Sequence, residues 1–136
     1  MQISDTVKEY LKADGRWNIL ATSGKTGKTN AAAFGSFQLA DDGAILVMFG
    51  DNRSFANLKE NPHAACFVVL HGKTGMAAEG CRLYLRALSF EETGPRFDEV
   101  KARIKARIGN AAEILKHLVK FEIVEVRPIL DFGQGI

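Results

Sequence analysis

Residues 48–64, MFGDNRSFANLKENPHA, organise the reading of the whole chain. An apolar run, AILVMFG, ends at Gly50, and a second, AACFVVL, begins at Ala64. Between them lie the pair Arg53-Ser54 and a segment of good helix formers. Asn61-Pro62 stops that segment, because a residue before proline avoids the helical region. The pattern predicts strand, short helix, strand, with Arg53 and Ser54 on the opening turn at the mouth of the first strand. A guanidinium there is a fixed cation suited to bidentate phosphate contact, and the hydroxyl adds a hydrogen bond. The free N–H groups of a helix start favour the same anion. An Arg-Ser pair in this position also serves as an ordinary cap.

Working upstream, Asp41-Asp42-Gly43 turns AILVMFG back onto TNAAAFGSFQLA, and the loop GKTGKT joins that segment to RWNILATS. The spacing predicts a three-strand meander with tight connections. Ile3, Val7, Tyr10 and Leu11 recur at helical spacing before it, with Ser4 or Asp5 as cap and Gly15 as terminator. Downstream, HAACFVVLH and CRLYLRALSFEE read as strands four and five, separated by GKTGMAAEG. Pro95 opens a helix whose stripe is Phe97, Val100, Ile104 and Ile108. Gly109-Asn110 divides it from a second helical piece, AAEILKHL. In the sixth strand, VKFEIVEV, Phe121 and Ile123 lie on one parity and Val124 and Val126 on the other. That slip predicts a bulge or an exchange of buried faces. The fold class is therefore mainly β, a six-stranded antiparallel barrel with peripheral helices, one domain over residues 1–136.

Composition narrows the function. The 136 residues are 46% apolar and 25% charged, with a formal charge of +2, too small to indicate a nucleic-acid partner. The longest apolar stretch, Ala64–Leu70, cannot span a bilayer. With no charged-then-apolar leader, the expected location is cytoplasmic. Cys66 and Cys81 sit inside strands and read as buried, inert thiols. GKTGKT lacks the first glycine of a phosphate loop, since Thr22 occupies that place. KARIKARI reads as a solvated helix face. His63, His71 and His117 show no metal-pair spacing. No nucleophile-base-acid set is present, so any chemistry rests on a cofactor. The second strand crowds together Ala31, Ala32, Ala33, Gly35 and Ser36, poor strand formers in a segment expected to be central. Small residues there admit either a tightly packed neighbour or a flat ligand such as a flavin.

The order of these strands, with NRSFANLKENP after the third, resembles the pyridoxamine 5'-phosphate oxidase-like FMN-binding split barrels. It is most similar to the small bacterial FMN-binding proteins. The resemblance runs from Val7 to Val126. It is most specific at Arg53-Ser54, Asn57-Leu58 and Asn61-Pro62, and again where the fifth strand meets EETGPRFDEV. It implies a split β-barrel forming a homodimer with FMN at the subunit interface. Arg53 would bind the FMN phosphate, with Ser54 where Lys or Thr is common. The backbone at Ala32, Ala33 and Phe34 would touch the isoalloxazine, and Met48, Phe49 and Gly50 would run past the ribityl chain and ring. Asn57, one turn after Arg53, would reach the phosphate or hold Arg53. The implied role is oxidoreductase or electron carrier, with a small-molecule or redox-protein substrate. Arg86 stands where the family usually has glycine. The chain also ends without the extension that binds pyridoxal phosphate in the true oxidases, which argues against that activity. A non-enzymatic flavin module remains an alternative, as does a haem or deazaflavin binder, with Lys25, Lys28 and Lys73 available for an acidic tail. The apolar segment Ile129-Leu130-Asp131-Phe132 would close over the partner's flavin.

Overall fold

In the computed structural model, which describes residues 1–136, Ser4 caps helix α1, Asp5–Lys12, by accepting the Val7 N–H at 3.2 Å. Strand β1, Trp17–Ser23, follows, and the GKTGKT loop returns the chain as β2, Thr29–Ala33. Here the chain departs from the expected meander. The segment read as one central strand breaks at residues 34–37. Its second part is the short strand β3, Gln38–Leu39, followed by β4, Ile45–Phe49. Helix α2 is Arg53–Glu60, β5 is His63–Val69 and β6 is Gly80–Glu91. Helix α3, Pro95–Ile108, leads through a 3-10 turn, Gly109–Ile114, into β7, His117–Pro128. His117, expected at the end of the second helical piece, is thus the first residue of a strand.

Neighbours in the sheet pair antiparallel in the order β2-β1-β5-β6-β7-β4-β3. There are seven strands rather than six, and β2 and β3 lie at opposite edges rather than in the middle. The crossing segment closes the curled sheet with individual hydrogen bonds in place of a ladder. Phe34 N–H donates to Asn18 O on β1 at 2.8 Å. On the far side the Ser36 hydroxyl donates to Met48 O at 3.1 Å and accepts from Met48 N–H at 3.0 Å.

Alternation then explains the core. Ile45, Val47 and Phe49 of β4 face the barrel interior with Leu20, Leu83 and Phe121. Leu46 and Met48 face the other way, beneath Phe97, Val100 and Ile104 of α3. Each such side chain contributes about 1.5–3 kcal/mol on burial. The second cover that both apolar parities of β4 demand is thus a helix of the same chain. Ile108, at the end of the expected stripe, is half exposed.

The expected irregularity in the last strand is a bulge. Pairing steps from Tyr84–Glu125 to Leu85–Ile123, leaving Val124 unpaired and 46% exposed. At the start of β6 a Cβ on Gly80 would lie 1.8 Å from Val68 O, so only glycine allows β5 and β6 to pair there.

Candidate functional site

The junction between β4 and α2 is built by Asn52, whose Oδ1 accepts the Phe55 N–H at 2.9 Å and caps the helix. Capping therefore does not consume the next two residues. Arg53 is exposed, and its guanidinium takes part in no hydrogen bond or ion pair of the chain. Ser54 turns inward, 2% exposed, and accepts a hydrogen bond from Asn30 of β2 at 3.1 Å. Asn57 is turned away from Arg53 and donates to Thr22 Oγ1 at 3.1 Å, while Asn61 donates to Ser23 Oγ at 3.1 Å. Three side chains of the helix region thus fasten it to the β1–β2 hairpin, and the Arg53 guanidinium is left free.

Beside this junction a cleft of about 960 Å3 opens between the crossing segment, the end of β4 and the C-terminal part of α3. Ala33, Phe34, Met48 and Gly50 of the expected site line it, and Asn52 joins it to the start of α2. Phe49 does not, because its ring lies inside the barrel, 4.8 Å from that of Phe34, and its carbonyl accepts the Lys116 N–H at 2.9 Å. Ala32 pairs with Leu20 on β1. Arg53, Ser54 and Asn57 lie on α2 beyond the residues of the cleft wall. The opposite wall is apolar, formed by Ile104, Ile108, Ile114 and Leu115, with Arg107, Glu113 and Lys116 among the polar residues. These α3 and 3-10 residues were missed as site residues. Ile108, an apolar residue that the helix leaves exposed, was the signal available for them. A Cβ on Gly50 would lie 2.9 Å from Ile114 O, so this glycine brings the two walls together.

Gly35 lines the same cleft. A Cβ there would meet nothing within 4 Å, and its backbone is not left-handed. Neither packing nor conformation therefore calls for glycine. Its missing side chain leaves open space beside the edge of β2, a strand paired on one side only.

The mouth of the cleft carries fixed charge. The Asp51 carboxylate is held below its ordinary range, first by the hydrogen bond to His117 Nε2 at 2.6 Å and then by Lys116 at 3.2 Å. The His117 ring is stacked on Phe55, 3.7 Å away at 9°. Its Nδ1 lies 2.9 Å from Glu92 Oε1 but off the line of a hydrogen bond. Burial pushes the Cys81 thiol up to about 12 and that of Cys66 higher still, so both are inert as nucleophiles. No cluster of His, Cys, Asp or Glu is arranged for a metal, and no helix is long and apolar enough to cross a membrane.

No protein-family model matches the sequence, and no curated protein does. Solved structures match closely in shape. An FMN-binding protein from Syntrophomonas wolfei superposes with a TM-score of 0.80 at 23% identity, over 93% of this chain and 85% of that one. HupZ from Group A Streptococcus gives 0.76 at 17% identity, over 94% of both chains. HutZ, described as the heme storage protein of Vibrio cholerae, gives 0.70 at 18%, over 98% of this chain and 100% of the other. The chain has the split-barrel fold of the pyridoxamine 5'-phosphate oxidase-like proteins. Within that split barrel, the break at residues 34–37 is the opening along which the large cleft lies.

Proposed function

We propose that this split barrel binds FMN and passes electrons or hydride through it as a homodimer. The observation that carries the reading is the free guanidinium of Arg53 on an already capped helix start, beside an apolar cleft. Arg53 and the N–H groups of the first α2 turn would hold the phosphate. Ala33, Phe34 and Gly35 would admit the ring to the edge of β2, and Ile108 and Ile114 would shield it from water. Bound FMN supplies the one- and two-electron chemistry that no side chain of this cleft provides.

The cleft suits a flavin better than haem. Haem iron takes an axial His, Cys, Tyr or Met. The cleft wall includes no His, Cys or Tyr, the His117 ring beside its mouth is engaged by Asp51 and Phe55, and the one Met, Met48, is fully buried. The lysines suited to the acidic tail of a deazaflavin lie off the cleft wall, and two are engaged, Lys25 with Glu60 at 3.9 Å and Lys73 with Glu79 at 2.5 Å.

A visible spectrum of the purified protein and parallel titrations with FMN and riboflavin test the proposal. Flavin bands and at least tenfold tighter binding of FMN are expected. Equal affinities would remove the phosphate role of Arg53, and a Soret band would replace the flavin with haem.

A further inference from the structure

The crossing segment borders a second cleft, of about 450 Å3, between the α1–β1 turn, residues 35–38 and α3. Its wall brings together three guanidiniums, Arg16, Arg103 and Arg107, against a single carboxylate, Asp14. Arg16 is held rigidly. Its Nη1 donates to Ala13 O at 2.8 Å, its Nη2 to Phe37 O at 2.6 Å and its Nε to Asn18 Oδ1 at 3.0 Å. All three acceptors are neutral, so the charge is positioned without being balanced, and two of the five guanidinium N–H groups remain unused.

Bracing the crossing segment against α1 explains Arg16. It does not explain Arg107, which is exposed, forms no ion pair and projects from α3 toward the same cleft. Arg103 is partly satisfied by Glu99 at 3.5 Å. Desolvation first, and the nearby charge of Arg107 further, lower the Arg16 pKa from its ordinary value, while Asp14 and the buried Cys66 act the other way. Like charges converging on a concave surface focus a positive potential there. A guanidinium's planar fork matches the oxygens of a carboxylate or a phosphate.

We propose that this cleft binds the carboxylate or phosphate group of an anionic ligand, with Arg107 and the free N–H groups of Arg16 as its donors. The cleft joins the larger one along Gly35, Ser36, Ile104 and Arg107, whereas α2 meets the larger cleft at Asn52. The bound anion therefore sits next to whatever occupies the larger cleft, and the site stands whether or not that occupant is FMN. The anion belongs either to a separate small molecule or to the acidic portion of a cofactor.

Calorimetric titration of the full chain with citrate and with inorganic pyrophosphate, at low ionic strength, tests the proposal. Arg107→Gln is compared with Lys28→Gln, which removes one exposed charge that is not on the cleft wall, at the opposite end of β2 from Gly35. At least one probe should bind the parent protein, and Arg107→Gln should weaken it tenfold or more while Lys28→Gln leaves it within twofold. Repeating the titration on FMN-saturated protein separates the two sources. Unchanged affinity assigns the site to a separate anion, and mutual displacement assigns it to the acidic part of the cofactor. If neither probe binds, or if Arg107→Gln costs no more than Lys28→Gln, the proposal is overturned.

Discussion

With Asn52 already capping α2, Arg53 adds little to the helix that alanine would not, and in the proposed function its value lies in the phosphate it binds. Hydrogen bonds to a charged group are worth about 1.5–3 kcal/mol, so Arg53→Ala should weaken FMN ten- to a hundredfold. Affinity for riboflavin and stability without ligand should stay unchanged. Arg53→Lys should lose less, keeping the charge but not the fork. Parallel fluorescence titrations decide between this role and an idle surface arginine. Gly35 invites the opposite experiment, adding atoms rather than removing them. A side chain there meets no protein atom, so Gly35→Leu should fold as well as the parent, by urea titration, yet weaken FMN more than tenfold. Unaltered affinity would move the ring away from the crossing segment. Asp51 supplies a pH effect. Its folded pKa is depressed below the ordinary 3.8, so it stabilises the fold above that value, and the benefit is lost as pH falls through the depressed one. Asp51→Asn should therefore flatten the acid limb of stability around and below pH 3.8.

At the scale of elements, the crossing segment carries both clefts and is the part that periodicity did not reveal. Helices α1, α2 and α3 were legible from their caps, from Asn61-Pro62 and from Pro95, and the bulge was legible in the change of parity at Val124. In TNAAAFGSFQLA the run of short side chains reads on as strand, and only Gly35-Ser36 hints at the break. What makes the break is tertiary. The Ser36 hydroxyl takes over both hydrogen bonds of the Met48 peptide groups, a partner 12 residues away that no local pattern encodes. The site was half legible for the same reason. Ala33 and Met48 belong to locally recognisable strands, and Phe34 and Gly50 directly follow them, whereas the facing wall depends on where α3 docks. Removing the hydroxyl should show what it supports. Ser36→Ala leaves buried Met48 N–H and C=O groups unpaired, at about 1–3 kcal/mol. A urea midpoint shifted by that amount is expected, and no shift would mean that the seam closes without it.

For the whole molecule, the question is what covers the outer face of β1 and β5. Helix α3 shields β4, yet Trp17 remains 57% exposed and Phe67 41% exposed. The register sets Ile19 between Phe67 and Ala33, and Trp17 beside Val69, so these residues form one apolar surface that reaches the edge of the large cleft. Such a surface suits an isologous two-fold contact, which in stable dimers removes about 800 Å2 per partner. A dimer is therefore expected by light scattering. Phe67→Asp should yield a monomer with weakened FMN binding, and a monomeric parent that still holds FMN would overturn the seam. The C-terminal tail allows a finer test. Arg82 and Arg127, in the register row that contains Phe67, both hold Asp131. That anchor brings the tail to the border of the same face and leaves Phe132 74% exposed. In a dimer, an apolar ring projecting there would meet the partner's surface beside its cleft. Truncation after Pro128 should then preserve the dimer while loosening FMN and opening its ring to iodide quenching. A truncated dimer with parental affinity and quenching would leave Phe132 without that role, while dissociation on truncation would make the tail part of the contact itself.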